Sequence, residues 1–310
     1  MDTAIVTGAT GLVGSAVVRK LLENNIDVLC IGRKEPLIQP RKNLPGTATN
    51  LKMDMADILS LEDKIGEIGW VPGFFCVFYH FSWKGLNALT DGSVDDQLKN
   101  VTYSANALVS AQKIGCKKFV NAGTIEETFA EKYLDNRWQH ETYPSGQNAY
   151  AASKLAARDM CVLLGYLNKI DYVHTRLSVP FNPSFTGKGY ISSAIRAILA
   201  GEAYAAPTNP QLLDLTHIKD VAQAYYLVGQ KGKNKANYFI GSGEPKKLSQ
   251  YFGMAEKKAH AAKSCADAHQ PCTDNLLLTA EDFSIDDLKR DTGFVLKKTF
   301  DDLVEEMEIK

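Results

Sequence analysis

The stretch VTGATGLVG, residues 6–14, decides the fold. Its three glycines follow the pattern G-x-x-G-x-x-G between an apolar, strand-like run (4–8) and an amphipathic, helix-like run (12–23). In such a turn the first glycine permits a sharp bend, the second lets the backbone approach a pyrophosphate, and the third lets the helix lie close to the strand. Unpaired N–H groups at the helix start favour phosphates. We therefore predict a dinucleotide site, with a plain tight turn as the alternative. Its residues would be Gly8, Thr10, Gly11, Leu12, Val13 and Gly14.

Outward from this loop, apolar runs of strand length alternate with amphipathic stretches of helix length. The predicted strands are residues 4–8, 27–32, 50–54, 74–81, 118–123 and 172–179. The predicted helices are residues 12–23, a stretch ending near residue 68, and residues 93–115 and 148–168. Strands separated by helical crossovers predict an α/β fold, a Rossmann-type doubly wound parallel sheet. All-apolar strands suit a sheet that is covered on both faces.

The rhythm changes after Val179. Residues 180–189, PFNPSFTGKG, are rich in Pro, Gly and Asn and predict a loop. We assign residues 1–179 to the dinucleotide-binding Rossmann domain, to which residues 212–242 return. Residues 180–310 then form mainly a smaller C-terminal substrate-binding lobe.

Composition excludes several classes of protein. The formal net charge is −1 with no basic block, so no nucleic-acid partner is expected. Apolar runs such as FFCVFYHF (74–81) are too short to span a bilayer, and strand-like sequence begins at Thr3 without a secretory leader. The six cysteines form no C-x-x-C pair, and four of them lie in apolar segments. For Cys265 and Cys272, a disulfide or metal role is the less favoured alternative. We expect no metal, no membrane contact and a cytoplasmic location.

The end of the second predicted strand, CIGRKEP (30–36), indicates which dinucleotide binds. An acidic residue there accepts hydrogen bonds from the adenosine ribose and repels a 2′-phosphate. Gly32 takes that place, and Arg33 follows with a planar fork suited to phosphate. NADP is therefore expected, with NAD as the alternative if Arg33 stacks on adenine or faces solvent. Asp54, with Met55 after the third strand, is a candidate to bind adenine; a solvated loop acid is its alternative.

Two further stretches carry acid–base chemistry. Tyr150 and Lys154 lie at i and i+4 of a predicted helix, so phenol and ammonium share one face. Lys154 would stabilise the phenolate and hold the nicotinamide ribose, although a Y-x-x-x-K spacing also arises by chance. Thr124 follows the fifth predicted strand, at the sheet edge where doubly wound folds bind ligands. Its hydroxyl would donate to the substrate oxygen that Tyr150 protonates.

Together these motifs resemble an extended short-chain dehydrogenase/reductase of the NAD-dependent epimerase/dehydratase family, which modifies nucleotide sugars. TGATGLVG resembles its glycine loop, and Thr124, Tyr150 and Lys154 match its catalytic triad. YHFSW (79–83) resembles its fourth-strand stretch, which implies cofactor contacts for Phe81 and Ser82; Asn100 resembles a helix Asn near the cofactor. RLSVPFNP, LLDLTHIKDVA and YFIGSGEP resemble its downstream patterns.

Other residues depart from the family or stay open. Val179 and Leu213 replace the usual Asn and a diphosphate-binding Arg. Glu126 falls where 4,6-dehydratases keep a catalytic Glu, but Ile125 replaces the preceding Asp; the alternative for Glu126 is a polar residue at the loop mouth. Trp83 would either stack on a sugar or base or be a hydrophobic residue at the rim. His80 and His217 are expected to be structural.

Within this resemblance, Arg33 and Lys34 favour an NADP-dependent reductase of a 4-keto nucleotide sugar, because NADPH is typically supplied as a reductant. The same residues would serve a nucleotide-sugar 4-epimerase, and a 4,6-dehydratase is less favoured. From a different class, a non-catalytic dinucleotide sensor has no need of all three triad side chains. The expected partner is a nucleotide-diphosphate sugar. The helix predicted at 93–115 would pack in the core or join a homodimer, as the family often does.

Overall fold

The computed structural model describes residues 1–34, 44–85, 93–135, 148–182, 187, 189–207, 211–259 and 277–306. Cys265 and Cys272, for which a disulfide or metal role was considered, lie outside these residues. The first six strands are β1 (Thr3–Thr7), β2 (Asp27–Gly32), β3 (Ala48–Lys52), β4 (Cys76–His80), β5 (Lys118–Ala122) and β6 (Asp171–Leu177). The helices between them are α1 (Leu12–Glu23), α2 (Leu61–Ile68), α3 (Val94–Lys113), α4 (Ile125–Asp135) and α5 (Asn148–Leu167), with a 3₁₀ helix at Met55–Ser60.

The second half of the chain contains shorter elements. Its strands are β7 (Val179–Phe181), β8 (Leu212–Leu213), β9 (Leu215–His217), β10 (Asn237–Ile240) and β11 (Lys246–Lys247). Its helices are α6 (Tyr190–Leu199), α7 (Ile218–Lys231), α8 (Leu248–Ala259), α9 (Asp286–Thr292) and α10 (Phe300–Glu306), with a 3₁₀ helix at Ala280–Phe283. The loop predicted from residue 180 is wrong at its start, because residues 179–181 pair with β9.

The main sheet is a seven-stranded parallel sheet in the order β10-β6-β5-β4-β1-β2-β3. Strand β1 is buried at every position, as expected of a central strand in a sheet that is covered on both faces. One apolar cluster joins α1 and α7 on one face, and a second joins α2, α3 and α5 on the other. The sheet confirms the predicted doubly wound α/β fold. Its carboxyl edge, where β1, β4 and β5 end, carries the candidate site.

Helix α4 is absent from the sequence prediction, which left residues after Thr124 as a loop mouth. It begins directly after the strand-five turn and buries Ile125 and Phe129 one turn apart. The sequence did not indicate where this helix begins, because Glu126 and Glu127 directly follow Ile125 and interrupt the apolar pattern. A helix here places those two carboxyl groups beside the end of β5.

The second half of the chain builds a smaller apolar cluster from α6, α8 and α10. Strand β10 nevertheless pairs with β6 in the main sheet, and α7 packs against α1. The turn after β10 is fixed by Asp214, whose buried carboxylate accepts the N–H groups of Ser242 and Gly243 at 2.9–3.1 Å. The domain division at residue 179 stays a prediction.

Candidate active site

The glycine loop has the geometry of a phosphate cradle. Gly8 has a positive φ of 68°, and a Cβ there would lie 2.9 Å from the Ser82 backbone nitrogen. A Cβ on Gly14 would overlap the Gly8 carbonyl oxygen, so α1 approaches β1 only because residue 14 lacks a side chain. No side chain caps the start of α1 at Gly11, which leaves its first N–H groups for an anion. The loop residues Thr10, Gly11 and Leu12 are exposed and Val13 is half-buried, so the cradle fits a dinucleotide.

Basic side chains stand at the adjoining sheet edge. Arg33 is exposed directly after β2. Asp96 raises the pKa of Lys84, and Arg33 lies near enough to Lys84 for its positive charge to work against that rise. Asp54 is exposed and caps the 3₁₀ helix by accepting the Ala56 N–H at 3.0 Å, with half-buried Met55 beside it. This cap gives Asp54 a structural task; its predicted adenine contact stays a prediction.

The loop after β4 is fastened from both sides. His80 bridges the Thr7 hydroxyl at 2.9 Å and the Ser104 hydroxyl at 3.2 Å, and burial lowers its pKa to about 3. It is therefore a neutral structural histidine. Asn100 is buried and binds both the backbone N–H and C=O of Lys84 at 2.9 Å. Its amide thus shapes the loop that carries Phe81 and Ser82; the contacts of these residues with a cofactor stay predictions.

The structure brings Thr124, Tyr150 and Lys154 together at the end of β5. All three are buried, and the Thr124 side chain lies near the Tyr150 hydroxyl. Burial raises the pKa of Tyr150 well above its ordinary value, while the neighbouring Thr124 side chain works against that rise. A phenol held protonated in this way is suited to donate a proton once a substrate oxygen develops negative charge.

Lys154 lies between the strand and an aromatic ring. Its ammonium donates to the Ala122 carbonyl oxygen at 2.8 Å and lies 3.8 Å from the centroid of the Trp83 ring. Burial lowers the pKa of Lys154 to about 8, so the amine is still mostly charged at neutral pH. Trp83 meets the Tyr150 ring edge-on and donates its ring N–H to Gln97 at 2.8 Å. Trp83 therefore packs against both Tyr150 and Lys154.

Glu126 lies in the first turn of α4, beside Thr124. Its backbone N–H donates to the Thr124 hydroxyl oxygen at 3.4 Å. Burial raises the pKa of the Glu126 carboxyl to about 7. Such a carboxyl exchanges protons near neutral pH, which is the property of a general acid or base.

The structure also contains a buried polar network that the sequence analysis did not find. Glu127 is fully buried; its Oε1 accepts the Thr124 N–H at 2.9 Å and its Oε2 lies 2.8 Å from His174 Nε2. Arg176 lies 3.5 Å from the same oxygen and 2.8 Å from Glu131. The one available signal was the presence of two ionisable side chains, His174 and Arg176, within a predicted strand of the sheet interior.

The fold and this trio of side chains define a short-chain dehydrogenase/reductase. The profile of the NAD dependent epimerase/dehydratase family matches residues 4–241, and the chain belongs to that family. A Methanocaldococcus jannaschii protein named "Putative UDP-glucose 4-epimerase" is 26% identical over 255 residues, covering 81% of this chain and 80% of that protein.

Solved structures share the fold. The UDP-glucose 4-epimerase of Thermotoga maritima, in complex with UDP-glucose, matches with a TM-score of 0.73 at 18% identity and covers 98% of this chain and 97% of its own. The Thermus thermophilus UDP-glucose 4-epimerase in complex with NAD has a TM-score of 0.73 at 21% identity and the same coverage. At these identities the likeness shows the fold alone.

Among the described residues, no group of three or more His, Cys, Asp or Glu side chains is arranged to bind a metal ion. Within the same residues, no helix combines the length and apolar character that crossing a bilayer requires.

Proposed function

We propose that the protein is an NADP-preferring reductase that acts on C4 of a 4-keto nucleotide-diphosphate sugar. The observation that carries the proposal is the buried trio in which the Thr124 side chain lies near the Tyr150 hydroxyl and Lys154 lies on the same helix face as Tyr150, one turn on. The bound nicotinamide would supply the hydride. Tyr150 donates the proton to the C4 oxygen, and Thr124 donates a second hydrogen bond that orients this oxygen.

Lys154 has two tasks in this proposal. Its charge stabilises the Tyr150 phenolate that remains after proton donation, and its N–H groups hold the nicotinamide ribose hydroxyls. Glu126, whose pKa is raised to about 7 by burial, is a candidate to take part in proton exchange at the mouth of the site. The glycine loop, Phe81 and Ser82 hold the remaining parts of the cofactor.

The choice of NADP rests on Gly32 and Arg33. Gly32 provides no carboxylate to bind the ribose 2′-hydroxyl, and Arg33 is exposed next to it, with Lys84 nearby. Two cations at this edge suit a 2′-phosphate better than a bare ribose. NAD stays the alternative, and the NAD in the Thermus thermophilus structure is consistent with it.

A second candidate is a nucleotide-sugar 4-epimerase. The family match and the M. jannaschii relative support it, and the same trio would serve it. In that reaction Tyr150 first accepts the proton of the 4-hydroxyl and later returns it, so oxidation and reduction balance within one site.

Purified enzyme distinguishes the two candidates. A reductase consumes NADPH stoichiometrically with a 4-keto UDP-sugar, whereas an epimerase interconverts UDP-glucose and its 4-epimer without net consumption of cofactor. Tyr150→Phe should abolish either turnover while NADP(H) affinity stays within about threefold, because one hydroxyl contact is removed. Unchanged turnover in this variant would contradict the assigned proton transfer.

The cofactor preference has its own test. Arg33→Ala should weaken NADPH binding about 10- to 100-fold, the range for losing a charge-assisted hydrogen bond, and leave NADH within about threefold. The matched control is Arg19→Ala, which removes an exposed arginine on α1. Equal weakening of both cofactors would refute the role of Arg33.

We also propose a homodimer that forms through α3 and α5. Met160, Leu163 and Leu167 share one face of α5 and are 46%, 55% and 62% exposed, and α5 packs beside α3. An exposed apolar face of this kind is typical of a protein interface. Leu163→Glu should give a monomer by analytical ultracentrifugation, whereas Val71→Glu, at an exposed loop, should not.

A cytoplasmic location is proposed as well. It is supported by the four buried thiols, of which Cys76 and Cys116 lie 3.5 Å apart as free cysteines. A reducing compartment keeps such thiols unpaired.

A further inference from the structure

Glu127 is a carboxylate with no exposed surface, located between the catalytic trio and the strands of the main sheet. It accepts the backbone N–H of Thr124 at 2.9 Å, so it directly fixes the turn that carries the catalytic hydroxyl. A buried charge is costly even when paired, and an apolar residue can often replace it without loss of stability. Packing alone therefore gives no reason for a carboxylate at this position.

A chain of hydrogen bonds orients the carboxylate. The Asn121 side-chain amide donates to the Tyr172 oxygen at 3.2 Å, which directs the Tyr172 hydroxyl hydrogen to His174 Nδ1 at 3.0 Å. His174 then donates from Nε2 to Glu127 at 2.8 Å. The site is closed around this pair, because a Cβ on Gly123 would overlap both the Glu127 and the His174 side chains. The pair is thus fixed in one geometry.

The charge of Glu127 acts on both members of the Tyr–Lys pair. Burial lowers the pKa of Lys154 to about 8, and the Glu127 carboxylate works against that fall. Burial would raise the pKa of Glu127 itself, but nearby positive groups lower it, so the carboxylate is ionised at neutral pH. The titratable and charged groups around it are His174, Arg176 and Tyr172 on β6, Tyr150, Lys154 and Arg158 on α5, Tyr225 on α7, and Glu126 and Glu131 on α4.

We propose that Glu127, oriented by His174, is a positioning residue that holds Thr124 beside Tyr150 and places a negative charge near Lys154. This inference rests on the proposed function, which assigns those three side chains their catalytic tasks. Glu127 has no exposed surface, so it acts through Thr124 and Lys154.

Two substitutions separate the two tasks. Glu127→Gln keeps the reach of the side chain and an acceptor for the Thr124 N–H but removes the charge. Glu127→Asp keeps the charge and shortens the reach by one methylene. Glu131→Gln is the matched control, since Glu131 lies one turn further along α4, where it pairs with Arg158 at 2.7 Å and with Arg176 at 2.8 Å.

The first readout is the titration of Lys154 by NMR of ¹³Cε-labelled lysine, with the signal assigned by its loss in Lys154→Met. We expect a midpoint near pH 8 in the wild type. It should fall by about one pH unit in Glu127→Gln, as for the loss of a close opposite charge, and stay within about 0.3 unit in Glu127→Asp and Glu131→Gln. A wild-type midpoint in Glu127→Gln, or an equal fall in Glu131→Gln, would overturn the electrostatic role.

The second readout is turnover across pH. Glu127→Gln should lose about threefold in kcat at pH 7.5, because a midpoint one unit lower leaves about a third as much charged Lys154 at that pH. KM should be nearly unchanged, and kcat should recover at lower pH, where Lys154 is charged again. Glu127→Asp should lose kcat at every pH because Thr124 is displaced; wild-type kcat in this variant would overturn the positioning role. If the wild type turns over no nucleotide sugar, the proposed function fails, and the Lys154 titration still decides on Glu127.

A further variant covers the case in which Glu127→Gln does not fold, as judged by circular dichroism. His174→Asn leaves the charge of Glu127 but removes the donor that orients it. We expect a Lys154 midpoint within about 0.3 pH unit of the wild type together with a lower kcat. A wild-type kcat in this variant would refute the orienting role of His174.

Discussion

Replacing Glu126 by glutamine should make the protein more stable at alkaline pH. Burial raises the pKa of Glu126 from 4.5 to about 7, so the folded protein holds the proton more tightly than the unfolded chain does. The stability that this proton contributes is fully present below pH 4.5 and is lost as the pH rises through 7. Above pH 7 the folded state must hold an ionised carboxylate in a poorly solvated place.

The magnitude follows from the size of the shift. A change from 4.5 to about 7 corresponds to about 3.4 kcal/mol. Because the side chain is only partly buried, solvent screening reduces this to about 2 kcal/mol. For a chain of 310 residues an unfolding entropy of about 2.1 cal/mol/K per residue converts 2 kcal/mol into a Tm change of about 3 °C.

The assay is calorimetric unfolding of wild type and Glu126→Gln at pH 4.5 and pH 8.5. We expect Tm values within about 1 °C of each other at pH 4.5 and a variant about 3 °C more stable at pH 8.5. Glu131→Gln, which loses its pairing with Arg158 and Arg176, should instead be destabilised at both pH values. A constant difference between Glu126→Gln and wild type across pH would refute the argument. If Glu126→Gln also lowers kcat, the unfavourable burial of the carboxyl is explained by its use in catalysis.

Two further predictions concern the scaffold. Lys118→Met should lower the Tm by about 5 °C, because losing a charged hydrogen-bond donor costs about 3 kcal/mol. The buried Lys118 ammonium donates to the carbonyls of Val228, Gly229 and Gly232 at the end of α7. A Tm within about 1 °C of wild type would show that these carbonyls find other donors. Gly14→Ala should abolish NADP(H) binding measured by calorimetry, since the Cβ of residue 14 would overlap the Gly8 carbonyl oxygen. The control Gly66→Ala should bind NADP(H) normally, because there is open space around residue 66. Binding by Gly14→Ala at wild-type affinity would contradict the cradle geometry.

The sequence by itself determined the alternating scaffold and the position of the cofactor loop. Apolar runs and glycine spacing are local properties, and the predicted helix 12–23 and strand 27–32 coincide with α1 and β2. Tyr150 and Lys154 could be paired because a helix sets the geometry of residues four apart. Thr124 could be placed because strand ends meet at one edge of a parallel sheet.

Tertiary structure alone decided what surrounds Thr124, Tyr150 and Lys154, the candidate catalytic trio. Glu127 and His174 are 47 residues apart in the chain and meet only because α4 packs against β6. Nothing in the run IEE distinguishes the half-buried Glu126 from the fully buried Glu127, since burial depends on which face of α4 meets the sheet. The same holds for Trp83, whose ring reaches Lys154 across the end of the sheet. Charge and proton affinity at the site depend on such contacts between distant segments, and no local pattern of residues encodes them.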